Sequence, residues 1–432
     1  MQIRQWSRFY LNIHSNSQNR IALIAQKARV QHNFMKPTRL LFYLLLIICA
    51  LNTTHSAVYN QCILFINNDF HANSYQLKLT LTIYFSAIFL CRCFLSVLAD
   101  KHSAKKCILI ALGIAILGHG LASCATNIYV FIVARFLQGL GLGGGQVMGL
   151  VILMQCFSDK GRASIIASEQ VLFSIASICL PLMGHYVSMG LSWRYVFLFY
   201  FFISTYAIFY LFFGQTSTPA QISTPINSAQ TQNTKHLLSN KQFIIPTIMS
   251  CFSFSGYILW GGYFGLFIHH YGIPLKYLLV YQLIPIVPYF ICSMLFKKLT
   301  KKIDKITLYK RILSLQISAL TMIILLIFWN KTSYSFKLGL LIPIILHNLA
   351  GSFFRPLMQE QALNAVPYNR IGFTSSFISI CQVGFNAVFA IILNCTTALM
   401  ETFVCIQLFL SINIIAYLIH IRRNLLQAKL AN

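Results

Sequence analysis

The amino-acid sequence predicts an all-α polytopic membrane protein, with twelve transmembrane helices in two six-helix bundles and both termini in the cytoplasm. Three observations predict it. Of the 432 residues, 57% are hydrophobic and only 9% charged, against about 25% charged in soluble domains; mean hydropathy is +0.69. Apolar runs close to the roughly 20 residues that span a bilayer recur in two sets of six, on either side of a polar stretch from Gly214 to Asn240. Positive charge, finally, is sorted by side. The N-terminal segment, the polar stretch, the even-to-odd loops and the C-terminal tail hold 25 of the 33 Lys and Arg, and the opposite loops hold five. Cytoplasmic loops carry such an excess, so the net charge of +26 reads as topology rather than as a nucleic-acid surface.

Residues 1–39 contain seven Lys or Arg and no acid, and are expected to be a disordered cytoplasmic segment. The apolar run that follows is a full span without a small-residue cleavage site, so a removable signal is not indicated; Met35 offers an alternative start. The first bundle, 40–213, takes its apolar runs at 40–61, 76–98, 106–125, 128–153, 164–188 and 195–213. The stretch 214–241 is rich in Ser, Thr, Gln, Asn and Pro; it buries too little to build a core and is expected to be a flexible cytoplasmic linker. The second bundle, 242–420, has runs at 243–267, 275–296, 309–330, 336–360, 371–394 and 400–420, and 421–432 is a basic cytoplasmic tail. The 13 cysteines are scattered, with Cys91 and Cys93 the only close pair. Neither a disulfide framework nor a metal site is indicated, and no cofactor is expected.

Within the fourth run, Ala134 to Gln146 carries one arginine, two glutamines and five glycines. Gly139, Gly141 and Gly144 match the spacing of a dinucleotide fingerprint, but that motif needs a strand before it and a helix after it, and here the glycines sit in mid-span. On a helix, Arg135, Gln138, Leu142 and Gln146 share one face. Gly141, Gly145 and Gly149 form a small-residue ridge where a neighbouring helix can approach. An arginine about two turns inside a span costs several kcal/mol unless it faces protein or water, which marks a functional site.

Similar polar faces recur on other spans. The first offers Asn52, His55 and Tyr59; the seventh Ser250, Ser253, Tyr257 and Trp260. The tenth offers Asn348, Ser352, Arg355 and Gln359, and the eleventh Ser375, Ser379, Gln382 and Asn386. Either these groups hydrogen-bond helices to one another, or they line a solute cavity; their repetition beside Arg135 favours a cavity. Charges inside the spans are Arg92, Arg135, Arg355, Glu169 and Glu360. Glu169 and Glu360 are candidate proton carriers or ion-pair partners, and His55 is a further candidate because histidine titrates near neutrality.

Several of these segments resemble the major facilitator superfamily, in particular its twelve-helix drug and metabolite exporters of the bicyclomycin-resistance type. Leu98-Ala-Asp100-Lys101, followed by Lys105 and Lys106, resembles the family's gating motif, with Ser96 and Ser103 where the family has glycine. Arg135-Phe-Leu-Gln138-Gly139-Leu-Gly141 resembles its fourth-helix arginine motif. Leu180-Pro181-Leu-Met-Gly184 resembles the fifth-helix packing motif, with His185 in place of a glycine, and Trp193-Arg194 resembles the opening of the sixth helix. Arg370-Ile-Gly372-Phe-Thr374-Ser375-Ser376 is similar to a further family sequence, and the first-helix acid falls at Ala57.

The resemblance implies a secondary transporter of the cytoplasmic (inner) membrane: a monomer embedded in the lipid bilayer that exports a small organic molecule by alternating access, with protons as the coupling ion. Alternatives are uptake or export of an anionic metabolite such as a carboxylate siderophore, since mid-span arginines outnumber acids, or a non-transporting membrane sensor. An enzyme is not expected, because neither a metal-spaced His/Cys/Glu cluster nor a G-x-S-x-G elbow is present. Nucleic acid is not an expected partner.

Overall fold

The computed structural model describes residues 39–98, 103–156, 159–213, 239–270, 272–274, 277–303, 305–328, 339, 341–366, 371–395 and 415. The basic segment with Met35, most of the linker, Asp100, Lys101, Arg370, the twelfth run and the tail lie outside them. So do the side chains of Asn52, Glu169 and Trp260.

Every long element among the described residues is a helix. In chain order they are α1 (Arg39–Phe70), α2 (Ser74–Leu98), α3 (Ala104–Ser123), α4 (Ile128–Cys156), α5 (Asp159–Gly190) and α6 (Trp193–Phe213). The second set comprises α7 (Lys241–His270), α8 (Leu278–Lys302), α9 (Lys305–Ile327), α10 (Leu341–Asn364) and α11 (Ile371–Cys395). Eight are long and apolar enough to cross a membrane, and α1 makes a ninth as two segments, Leu40–Leu51 and Thr54–Phe70, bent by 49°. In α5 and α8 the apolar stretches are shorter, Ile175–Gly190 and Leu278–Cys292. Several helices overrun their apolar runs. The first continues through Asn67, Asn68 and Asp69 to Phe70, because a helix that has begun gains one hydrogen bond per added residue, whether or not that residue is apolar.

Short polar side chains start these helices by accepting the free N–H groups of the first turn. Asn73 and Gln76 cap α2 reciprocally: Gln76 N donates to Asn73 Oδ1 at 2.9 Å and Asn73 N to Gln76 Oε1 at 3.0 Å. Ser103 accepts from Lys106 N before α3, and Asn127 accepts from Tyr129 N and Val130 N at the start of α4. The bend in α1 has a local cause. Thr54 Oγ1 donates to Ala50 O at 2.9 Å and Leu51 O at 3.4 Å, a back-bond that competes with the helix ladder and bends it.

In the first bundle α4 is the central element, packed chiefly on α3 and α2 and also on α1. Its glycines permit this, but not as one ridge. A Cβ at Gly141 would fall on the Ala115 backbone of α3, one at Gly139 on Tyr84 and Ala87 of α2, and one at Gly149 would lie 3.3 Å from Cys49 of α1. Positions four apart drift by about 40° around a helix, so Gly141 and Gly149 address different neighbours. On α5, Gly184 meets Val58 of α1 in the same way, one turn after Pro181. In the second bundle α10 packs on α7, α8 and α9, and α11 on α7. The bundles meet through α2 with α11 and α7, α1 with α7, and α5 with α8. Outward faces are apolar: Phe202, Phe209, Phe212 and Phe213 of α6 are exposed, as suits a helix facing lipid.

Candidate functional site

Two small cavities adjoin at Tyr257 and Asn348, the larger where the bundles meet and the smaller within the second bundle. The larger, about 30 Å³, is lined by Thr54, Ser56 and Ala57 of α1, Phe173 and Ser177 of α5, Tyr257, Ile258 and Gly261 of α7, Gln282 and Ile286 of α8, and Asn348 of α10. The smaller, about 10 Å³, shares Tyr257 and Asn348 and adds Ser253, Phe254, Tyr289, His347, Gly351 and Arg355. Each has room for one or two waters, and neither admits an organic solute in this conformation.

Prolines shape the walls. Pro181, Pro285, Pro288 and Pro356 lie inside α5, α8 and α10. Each removes an N–H and releases the carbonyl four residues earlier; for Pro181 that is Ser177, which lines the larger cavity. Helix irregularity at membrane depth is tolerated where it faces protein or a wet space.

Polar contacts close the junction on both sides of the cavities. On the side of the α1–α2 turn, Gln61 donates to Gln282, whose Nε2 donates to Ala57 O at 3.0 Å. Gly265 N donates to Asn60 Oδ1 at 2.6 Å, and Thr82 Oγ1 to Ala390 O at 3.0 Å. Toward the basic-loop side, where α2 ends, Arg92 crosses from the first bundle to the second. Its Nη1 donates to Ser379 Oγ at 2.7 Å and Ser379 O at 3.2 Å, while Nη2 donates to Gln146 Oε1 at 2.7 Å.

Arg135 sits elsewhere, wholly inside the first bundle with none of its surface exposed. Its Cζ lies 4.2 Å from the Tyr59 ring centre and 4.1 Å from that of Tyr84, so two tyrosines cover the guanidinium. Each such contact is worth up to about 2 kcal/mol when desolvated. Nη1 donates to Gln138 Oε1 at 2.8 Å and approaches His55 Nδ1 at 3.1 Å. A guanidinium only donates, so His55 Nδ1 offers its lone pair and the proton of a neutral ring sits on Nε2. Tyr59 in turn bonds Thr80, and Gln138 donates to Gly118 O at 3.3 Å. The His55 ring is 5.4 Å from His119 and 4.8 Å from Tyr200. Buried Nη2 and Nε of Arg135, Nε2 of His55 and both nitrogens of His119 make no hydrogen bond. The buried Tyr200 hydroxyl makes no hydrogen bond, and Thr54, the residue before His55, lines the larger cavity.

The structure thus separates residues that the sequence grouped as one cavity. Tyr257 and Arg355 line it; His55, Tyr59, Arg135 and Gln138 form the buried cluster; Gln146 belongs with Arg92. Gln382 donates to Ser250 Oγ at 2.8 Å, and Asn386 is buried with a free Oδ1. Glu360 is exposed near the end of α10, and Lys105 lies in the first turn of α3. Sequence reasoning missed Gln282, Ser177, Asn60, Gln61 and His119. Gln282, a lone polar side chain among the apolar residues that precede Pro285, was the readable one.

Comparison with known proteins supplies the wider frame. A family model described as Major Facilitator Superfamily matches residues 42–390. Among curated proteins, the multidrug resistance protein MdtL of Escherichia coli is 25% identical over 191 residues, 43% of this chain and 47% of that protein. That of Citrobacter koseri is 26% identical over 129 residues, 30% and 33% of the two chains. The chain therefore spans less than half the length of the curated relatives it matches. Among solved structures, a D-xylose–proton symporter superposes with a TM-score of 0.68 over 86% of this chain and 96% of that one, at 12% identity. A POT family transporter in complex with a thioalcohol-conjugated peptide gives 0.69 over 89% and 96%, at 11% identity. Likeness at that identity concerns the fold alone.

Proposed function

Because the chain belongs to the Major Facilitator Superfamily, a family of multi-pass membrane transporters, we propose that it is a secondary active transporter that exports a small organic molecule by alternating access, driven by protons. The observation that carries the reading is the larger cavity between the bundles, walled by polar and aromatic side chains from five helices and held shut on both sides by contacts from one bundle to the other. A carrier of this architecture opens the central space to one side at a time, by rocking one bundle against the other. Breaking the Gln61–Gln282 and Thr82–Ala390 contacts opens one path; breaking Arg92–Ser379 opens the other.

The multidrug resistance relatives support export as the direction, and the groups beside Arg135 support protons as the coupling ion. Of the candidates with described side chains, His55 is the one placed in a buried polar cluster, adjoining His119 and following Thr54, which lines the larger cavity. Protons are also the coupling ion named for the D-xylose symporter of like fold. The charge bias places the α2–α3 and α4–α5 turns in the cytoplasm of a cell whose inner membrane holds the protein as a monomer of twelve spans. Asp100, Lys101 and Lys105 are then the gating charges on that face.

The test is flux in proteoliposomes of the purified full-length chain, across a panel of neutral and charged drugs and metabolites. An imposed pH gradient, acid on the side opposite the basic loops, should drive at least one solute toward that acid side. A collapsed gradient should reduce its rate to passive exchange. Flux indifferent to the gradient would remove proton coupling, and no flux of any solute would favour a non-transporting sensor.

A further inference from the structure

Arg355 presents its charge to the smaller cavity rather than to a partner. It is partly exposed, its Cζ lies 4.9 Å from the Phe254 ring centre, and Nε makes no hydrogen bond. Pro356 follows it in α10, so the helix carries no N–H at the next position, at the level where the arginine enters the cavity. Two more groups on the same wall are unpaired although nearly wholly buried: the Ser253 hydroxyl, and Asn348 Oδ1, whose amide nitrogen is occupied by Pro285 O at 3.2 Å. The rest of the wall is aromatic, with Tyr257 and Tyr289 stacked at 5.0 Å. Among the described acids, Asp69 pairs with Arg194 at 2.6 Å and Glu360 is exposed near the end of α10. No described carboxylate therefore neutralises Arg355.

The chemistry of these unmet groups is directional. Arg355 Nε and Ser253 are donors in need of an acceptor, and a guanidinium matches a carboxylate through its planar fork. Asn348 Oδ1 is an acceptor in need of a donor such as a phenol. Flat aromatic walls favour a planar body between the two. Arg135 does not compete for this role, because its faces are covered by Tyr59 and Tyr84 and it touches neither cavity.

We infer that the cavity at Arg355 is the subsite for a small aromatic organic anion, its carboxylate on Arg355 and Ser253 and its ring against Phe254, Tyr257 and Tyr289. The inference rests on the transporter reading, since the cavity must widen during the cycle to admit such a solute.

Three probes of matched shape test it: 4-hydroxybenzoate, 4-hydroxybenzamide and 4-(aminomethyl)phenol, which are anionic, neutral and cationic. Thermal-shift titration of the purified full-length protein should show the anion binding about tenfold more tightly than the amide, the scale of one charge-assisted hydrogen bond. Arg355→Gln should reduce the anion to the level of the amide, and Glu169→Gln should leave the preference in place. Equal or tighter binding of the amide or the cation, no binding of any probe, or an unchanged anion preference in Arg355→Gln overturns the inference. Loss of the preference in Glu169→Gln alone overturns it as well. Should Arg355→Gln not fold, Arg355→Lys keeps the charge but loses the fork; its preference should fall, and an unchanged one overturns the assignment. Flux of the same probes in proteoliposomes separates the two levels of the reading. Movement of the amide or the cation without the anion leaves a transporter and removes the anion site. Binding of the anion with no flux of any solute leaves the site and removes the transport reading.

Discussion

Arg135 and Arg355 both lie in mid-helix, one in each bundle, in a chain with few intramembrane acids, yet the protein treats them in opposite ways. Arg135 is sealed: tyrosines from α1 and α2 cover its two faces, Gln138 and His55 take one of its nitrogens, and none of its surface is exposed. Arg135 Nε and Nη2 make no hydrogen bond but are wholly buried, whereas Arg355 is partly exposed and lines the smaller cavity, with one aromatic ring against it. A buried charge is tolerated where the protein itself supplies the partners, and a charge left open marks where a ligand supplies them. In the proposed cycle Arg135 therefore acts on turnover and Arg355 on recognition.

The largest effect should come from Arg135→Met, which keeps the side-chain length and removes the charge. It leaves Gln138 Oε1 and His55 Nδ1 without their donor, at a cost of about 1–3 kcal/mol, so the melting temperature should fall by no more than a few degrees. Maximal flux should fall roughly ten- to hundredfold, the range expected for losing hydrogen bonds to a buried charge, with KM unchanged. A changed order of substrates would put Arg135 in the recognition site and dissolve the contrast with Arg355.

Next in size is Gly141→Ala. The added methyl would land on the Ala115 backbone, while Gly113 of the neighbouring helix has nothing within 4 Å of its Cβ position. Overpacking costs about 1–3 kcal/mol, and an open site stays within about 0.5 kcal/mol. Thermal denaturation should show Gly141→Ala clearly less stable and Gly113→Ala indistinguishable from wild type. Equal stability of the two would mean that α4 is not held by close approach to α3, and that the box around Arg135 rests on something else.

The smallest effect concerns a third arginine, one with an acid. Arg194 Nη1 donates to Asp69 Oδ2 at 2.6 Å, with the two side chains 34% and 43% exposed. Exposed pairs contribute about 0–1 kcal/mol, and an asparagine would still accept from Trp193 Nε1. Asp69→Asn should therefore shift the melting temperature by a degree or two and leave flux unchanged; a loss of flux would make this corner part of the gate.

Part of this arrangement was legible in the sequence. Spacing alone puts Gln138 on the face of Arg135, and the two are bonded at 2.8 Å. Gln146 shares that face, but eleven residues is about 16 Å of helix rise, and it serves Arg92 in another layer. The glycine ridge failed as a single surface for a related reason, since 3.6 does not divide four and the positions drift from α3 toward α1. What spacing cannot express is which residues of other helices arrive at the same depth. His119, Tyr84 and Thr80 surround Arg135 because α2, α3 and α4 pack side by side, and no pattern within any one of those helices says so. The polar stripe of α10 was visible; that Arg355 stays open to the cavity while Asn348 binds α8 was not.

Alternation between the two closures requires the bundles to part, and the Gln61–Gln282 contact between α1 and α8 is the place to prevent it. Cysteines at these two positions, in an otherwise cysteine-free full-length protein, can be joined by a short bifunctional maleimide in proteoliposomes. Cross-linking should stop substrate flux, while each single-cysteine protein treated in the same way should continue to transport. Undiminished flux through the cross-linked protein would contradict alternation, because the bundles would then not need to part at this face for solute to cross.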